Sequence, residues 1–108
     1  MSNAMTAQER LRGLLGLSQR AGRLLTGMDN TLSAIRSGKS CLVLMDESAA
    51  ENTVKKLTDA CIYYHVPLMK LPQDLLSYAT GRDGRMMGAL TDAGFAEKAK
   101  GLIAEMDA

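Results

Sequence analysis

The chain has 108 residues, 46% of them apolar, with a formal net charge of only +1. That length holds one domain with a modest core. No run approaches the roughly 18 apolar residues of a membrane span and no charged, apolar leader is visible, so the expectation is a cytoplasmic protein without a membrane partner.

Met1-Ser2-Asn3-Ala4, ahead of Met5, reads as a cloning scar, which leaves 5–108 as the domain. Thr6-Ala7-Gln8-Glu9 is a capping box, and Leu11, Leu14, Leu15 and Ser18 form the buried face of a first helix. That helix stops near Arg20-Ala21-Gly22. Leu24-Leu25 then runs as a short strand into Thr26-Gly27. A second helix begins at once, with Met28, Thr31, Leu32 and Ile35 on its buried face and Asp29, Asn30, Ser33 and Arg36 opposite. Gly38-Lys39 closes it. A glycine at a helix start allows close approach of another backbone, and the free N–H groups there suit phosphate.

Cys41 to Met45 is an apolar run that reads as a central strand buried on both faces. Ser48 to Glu51 forms a second capping box, opening a helix with Ala50, Val54, Leu57, Cys61 and Tyr64 inward. His65-Val66-Pro67 breaks it, and Val66 to Leu71 reads as the next strand. A short helix from Asp74 to Thr80 stops at Gly81. Met86 to Leu90 is the last strand, and Asp92 leads into a final helix with Phe95, Ala99, Leu102, Ile103 and Met106 on one face. Alternating strands and helices predict an α/β fold, a compact three-layer sandwich with about four strands.

Charge is unevenly spread. Through Ser40 there are six basic residues against two acidic ones, whereas the remainder carries seven basic and ten acidic. A local basic face permits nucleic-acid binding, and a solvated charged face is the ordinary alternative.

Few residues point to catalysis. Arg36-Ser37-Gly38-Lys39-Ser40 ends like a P-loop, but Ser33 stands where the leading glycine belongs, and the segment closes a helix instead of opening one. Asp46-Glu47 sits at the end of the central strand, where α/β sheets bind ligands. Strand-end solvation and a negative charge near the next helix are the ordinary account of the pair. His65, the one histidine, has no nucleophile or carboxylate motif beside it. Cys41 and Cys61 lie in apolar patterns and read as reduced thiols, so neither a disulfide nor a metal site is expected. No cofactor is implied. The loop Gly81-Arg82-Asp83-Gly84-Arg85 offers two guanidinium groups for phosphates or for stacking on bases. Beside Gly27 it would make one concave surface.

The order of motifs resembles a known family. It runs Leu14-Leu-Gly-Leu-Ser-Gln-Arg20-Ala-Gly-Arg23, Gly27, Ala34-Ile35-Arg36-Ser37-Gly38-Lys39, Leu42-Val-Leu, Asn52-Thr-Val-Lys-Lys-Leu57, Cys61-Ile-Tyr-Tyr-His-Val-Pro67 and Gly94-Phe95-Ala96. Over nearly all of Thr6 to Ile103 this is similar to the bacterial YlxQ-type proteins of the kink-turn-binding ribosomal protein superfamily (the L-seven-Ae and L-thirty-e type). The resemblance implies an α/β/α sandwich with a mixed four-stranded sheet and an RNA-binding, ribosome-associated role without catalysis.

In RNA-binding relatives the helix after that glycine begins Gly-Thr-Asn-Glu, with a lysine three residues further on. Here those positions are Gly27, Met28, Asp29, Asn30 and Ser33, so only the glycine is kept. The second contact loop follows a Leu-Gly-x-Ala-x-Gly pattern, which here is Leu76-Ser77-Tyr78-Ala79-Thr80-Gly81. The resemblance also places that loop next to Gly27. The expected RNA-binding residues are therefore Arg23, Gly27, Met28, Asp29, Asn30, Ser33, Arg36, Lys39, Gly81, Arg82 and Arg85. The expected partner is structured RNA, ribosomal RNA or the ribosome, bound by a monomer, with no DNA partner. A protein-interaction adaptor that kept the fold is the alternative, and a small-molecule site at Asp46-Glu47 a third reading.

Overall fold

The computed structural model describes residues 5–107, so the scar assigned to residues 1–4 lies outside the described residues. Helices and strands alternate as α1 (Ala7–Arg20), β1 (Leu24–Thr26), α2 (Met28–Arg36), β2 (Leu42–Asp46), α3 (Glu51–Tyr64), β3 (Leu68–Leu71), α4 (Leu75–Thr80), β4 (Met87–Leu90) and α5 (Ala93–Asp107). The strands form one mixed sheet in the order β1-β4-β2-β3. β2 and β3 are parallel, and β4 runs antiparallel to both β1 and β2. The α/β/α sandwich with a mixed four-stranded sheet is present.

Residue alternation along the strands builds two cores. Leu42, Leu44 and Leu90 face α1, α4 and α5, where they pack with Leu11, Leu15, Leu76, Leu102 and Ile103. Val43, Met45 and Met87 face α2 and α3 and pack with Leu32, Ile35, Leu57 and Cys61. β2 is buried along its whole length, as a strand covered on both faces must be. Burying an aliphatic side chain of this kind contributes about 1.5–3 kcal/mol. Gly88 is required where β4 meets β1, because a methyl group there would lie 2.9 Å from the Leu25 carbonyl oxygen.

The capping box at the start of α1 forms in both directions. The Thr6 hydroxyl accepts the Glu9 N–H, and the Glu9 carboxylate accepts the Thr6 N–H, both at 3.1 Å. The second expected box does not form. Ala50 is the N-cap of α3 and has no side-chain cap, because the Ser48 hydroxyl donates to Asp46 Oδ1 at 2.6 Å. That bond turns the Ser48 side chain back to the strand end, and the helix starts two residues too late for Ser48 to cap it.

Two further expectations are corrected. Ala50 and Tyr64 are exposed, not inward, because Leu57 and Cys61 already fill the face of α3 over the sheet. β3 begins at Leu68, not Val66: His65 closes α3 in the left-handed region and the Val66 N–H still bonds the Cys61 carbonyl.

Candidate nucleic-acid interface

Gly27 caps α2 at φ 96°, ψ 155°, a backbone conformation closed to most side chains. Its N–H donates to the Met87 carbonyl at 3.1 Å, and its carbonyl accepts the Thr31 N–H at 3.0 Å, the first bond of the helix. Helix geometry leaves the N–H groups of Met28, Asp29 and Asn30 without intrahelical acceptors. No side chain caps them. This end of α2 therefore presents donors and a partial positive charge.

The Gly27–Met87 bond ties this helix start to β4 and so to the loop before it. The consequence is an adjacency that local patterns do not contain. A methyl group built on Gly27 would lie 3.6 Å from Arg85 Nη1. Arg85 is half-buried, with its Nε enclosed and lacking a hydrogen-bond partner. Among the described residues no carboxylate forms a salt bridge with it. Packing holds this guanidinium, and its outer nitrogens remain donors.

Ser77 fixes the loop. Its hydroxyl accepts the Arg85 N–H at 3.0 Å, while its carbonyl accepts the Arg82 N–H at 3.1 Å. The serine that replaces the relatives' glycine thus becomes a clamp. Gly81 ends α4 in the left-handed region, and Arg82 and Asp83 are exposed beyond it.

Asn30 donates through Nδ2 to the Thr26 carbonyl at 3.1 Å. Its Oδ1 is left as an acceptor next to the free amides. Met28 is half-buried against the second core, and Asp29 is exposed. Asp29, Ser33 and Arg36 line one shallow depression on the outer face of α2 with Leu32 and Ser37. Arg36 ends the helix, about 13 Å from Gly27.

Two expected residues lie elsewhere. Arg23 precedes β1, and its carbonyl accepts the Thr91 N–H at 2.9 Å. That is the opposite end of the strand from Gly27. Lys39 sits at the same far end, just before Cys41, whose N–H bonds the Leu90 carbonyl. The structure brings Gly27, Met28, Asp29, Asn30 and Arg85 together and leaves Arg23 and Lys39 at the other pole.

Asp46 is the clearest departure from expectation, since it is buried where strand-end solvation was expected. Oδ1 accepts the Ser48 N–H at 2.8 Å and the Ser48 hydroxyl, and Oδ2 accepts the Asp74 N–H at 2.8 Å. Burial raises its pKa, but the bonds from Ser48 and Asp74 outweigh this and hold the carboxyl below its ordinary value. Glu47 accepts the Gln73 N–H at 3.2 Å. Both carboxylates are thus committed to the turn that launches α4, and through α4 they position the Arg85 loop. Sequence reasoning missed this role and that of Ser77. The available signal was a pair of acidic residues followed by serine at a strand end.

Elsewhere, burial pushes the Cys61 thiol up to about 11, so it stays protonated. Among the described residues no cluster of three His, Cys, Asp or Glu side chains is placed to hold a metal. No described helix is long and apolar enough to cross a membrane.

Comparison with known proteins identifies the family. Residues 9–99 match the ribosomal protein L7Ae/L30e/S12e/Gadd45 family. The chain is 42% identical over 91 residues to the RNA-binding protein YlxQ of Bacillus subtilis, covering 83% of this chain and 91% of that protein. It is 37% identical to the RNA-binding protein YlxQ of Enterococcus faecium, over 89% of this chain and 93% of that one. Among solved structures, a Bacillus halodurans protein of unknown function superposes with a TM-score of 0.79 at 34% identity, covering 92% of this chain and 98% of that one. The 15.5kD RNA binding protein of Giardia lamblia shares the fold, with a TM-score of 0.73 at 19% identity over 94% of this chain and 92% of that one. The chain belongs to the ribosomal protein L7Ae/L30e/S12e/Gadd45 family, among its bacterial YlxQ-type members.

Proposed function

We propose that the chain is a non-enzymatic, cytoplasmic RNA-binding protein, ribosomal or ribosome-associated, which docks a bent, kink-turn-like RNA on the start of α2 and the Gly81–Arg85 loop. The observation that carries this reading is the Arg85 guanidinium lying against Gly27, beside three helix-start amides and the Asn30 carbonyl oxygen.

The roles follow from the chemistry of each group. Gly27 keeps the helix start free of a side chain, so RNA can approach the backbone. The amides of Met28, Asp29 and Asn30 bind phosphate or sugar oxygens. Asn30 Oδ1 accepts from an amino group on a base edge. It fills the place of the relatives' glutamate with a neutral acceptor. Arg85 adds charge at the same place, with Arg82 on the loop rim and Ser33 and Arg36 along the flank. Phosphate contacts supply most of the affinity, and Asn30 supplies selection among bases. Bent RNA with splayed bases offers these groups what straight duplex DNA does not, so no DNA partner is proposed.

The test is a titration of a fluorescent kink-turn RNA beside a straight duplex of equal length, at two salt concentrations. Preference for the kink-turn that persists at the higher salt is expected. Arg85→Ala weakens binding and flattens the dependence of log K on log salt by about one unit. An unchanged slope removes Arg85 from the phosphate contacts. Equal binding to both RNAs reduces the site to a basic surface.

One observation favours a second reading, that of a protein-interaction adaptor: Asp29 puts an exposed carboxylate where RNA phosphates would come. A protein partner retained after nuclease treatment and lost in Asp29→Ala would decide for it.

A further inference from the structure

The two poles of the sheet differ in chemistry. At the pole away from Gly27, a row of hydrogen bonds crosses all four strands. Thr91 N–H donates to the Arg23 carbonyl, Cys41 N–H to the Leu90 carbonyl, and Val43 N–H to the Pro67 carbonyl. The row fixes what is gathered there. Arg23 leads into β1, Lys39 leads into β2, and the end of α3 leads into β3. Three strand spacings, about 15 Å, separate Arg23 from Pro67.

This pole is basic and aromatic together. Arg20, Arg23, Arg36 and Lys39 end or follow α1 and α2, and all are exposed. Among the described residues none of them forms a salt bridge. Asp92, the acidic residue between β4 and α5, accepts the Phe95 N–H at 2.9 Å and forms no salt bridge with these cations among the described residues. The last turn of α3 exposes Tyr63 at 76% and Tyr64 at 41%, with their rings packed edge to face at 4.8 Å. In an edge-to-face pair at this exposure the rings keep open faces.

Cations at helix C-termini offset the helix dipole. That accounts for Arg20 and Arg36, but it leaves Tyr63, Tyr64 and the two cations beyond the helix ends without a reason to be here. Aromatic faces at one edge of a sheet end and unpaired cations across it are the chemistry that holds unpaired nucleotides, bases on the rings and phosphates on the cations. Arg36 also connects the poles, since it shares the outer face of α2 with Ser33 and Asp29.

We infer that Tyr63, Tyr64, Arg23 and Lys39 form a second RNA contact, which holds a single-stranded extension of the same RNA whose bent part docks at Gly27 and Arg85. This rests on the RNA-binding reading above. The folded domain thereby measures the spacing between a bend and an adjacent unpaired stretch. Specificity would come from that spacing as well as from base edges.

The experiment titrates the full chain with three fluorescent RNAs: the kink-turn alone, the kink-turn with a short single-stranded extension, and the extension alone. The extended RNA should bind about tenfold more tightly than the kink-turn alone, within the range expected for stacking of one or two bases. Tyr63→Ala with Tyr64→Ala should abolish that advantage and leave the kink-turn alone unchanged. Tyr63→Phe with Tyr64→Phe should retain it. Both tyrosines are exposed, so these variants should melt as the parent does.

Arg85→Ala should weaken binding of the kink-turn and the extended RNA equally and preserve their ratio. Equal binding of the two by the parent protein overturns the second contact and leaves the first intact. An extension advantage that survives the alanine pair also overturns it and assigns the tyrosines to a protein partner. Binding of the extension alone through the tyrosines, without binding of the kink-turn, keeps the second contact and overturns the proposed bend recognition.

Discussion

Single residues at the start of α2 act through what they omit. Gly27 contributes no side chain, and its φ of 96° depends on that, while a methyl group there would only touch Arg85 at van der Waals distance. Gly27→Ala should destabilise the fold by about 1–3 kcal/mol, the usual cost of a residue forced into a sparse backbone region. It should also weaken RNA binding by more than that loss of folded protein explains, as checked by denaturant unfolding beside the titration. Ser77 acts in the opposite way, by supplying an atom. Ser77→Ala leaves the Arg85 N–H without its acceptor and frees the loop. Because the site is partly exposed, water replaces the bond and stability should fall by no more than about 1 kcal/mol. RNA affinity should drop severalfold as the guanidinium loses its fixed position, a separation that melting and binding on one sample would reveal.

At the scale of elements, the buried carboxylate of Asp46 couples β2 to α4. Its folded pKa lies below the ordinary value of 3.8, so its contribution is present in full above that pH. The contribution is lost as pH falls through the lower folded value, and it is absent below both. Unfolding measured from neutral to acid pH should therefore show Asp46→Asn less stable by about 1–3 kcal/mol near neutrality, with the gap closing only below about pH 4. Most elements were legible because their signals are local: the Thr6–Glu9 box, the apolar period of α2, the continuous run of β2. Ser48 misled because its side chain turns back to the buried Asp46 and the N-cap falls at Ala50 instead, a choice set by burial and not by local pattern. The meeting of Gly27 and Arg85 was not legible from pattern at all. It depends on β4 inserting between β1 and β2, a long-range choice no local pattern contains; the family resemblance supplied the adjacency without the strand order.

At the scale of the whole molecule, a net charge of +1 conceals two different ends, and a ligand reaching both would clamp the sheet along its length. Native-state binding raises stability by mass action, by about 2.7 kcal/mol at a hundredfold excess over Kd. For a domain of this size that predicts a melting temperature about 10–20 °C higher with saturating kink-turn RNA than without it. No shift with RNA at that excess would contradict native-state binding. The Asp46 anchor also sets a rate. Ser48 and Asp74 lie in loops, yet their amide protons are held by a buried carboxylate at the end of the central strand. In deuterated water they should exchange with the slow amides of β2, on the timescale of global opening, while the amide of Asp83, exposed at the loop tip, exchanges far sooner. The loop presented to RNA is thus freest at its tip and held at its root.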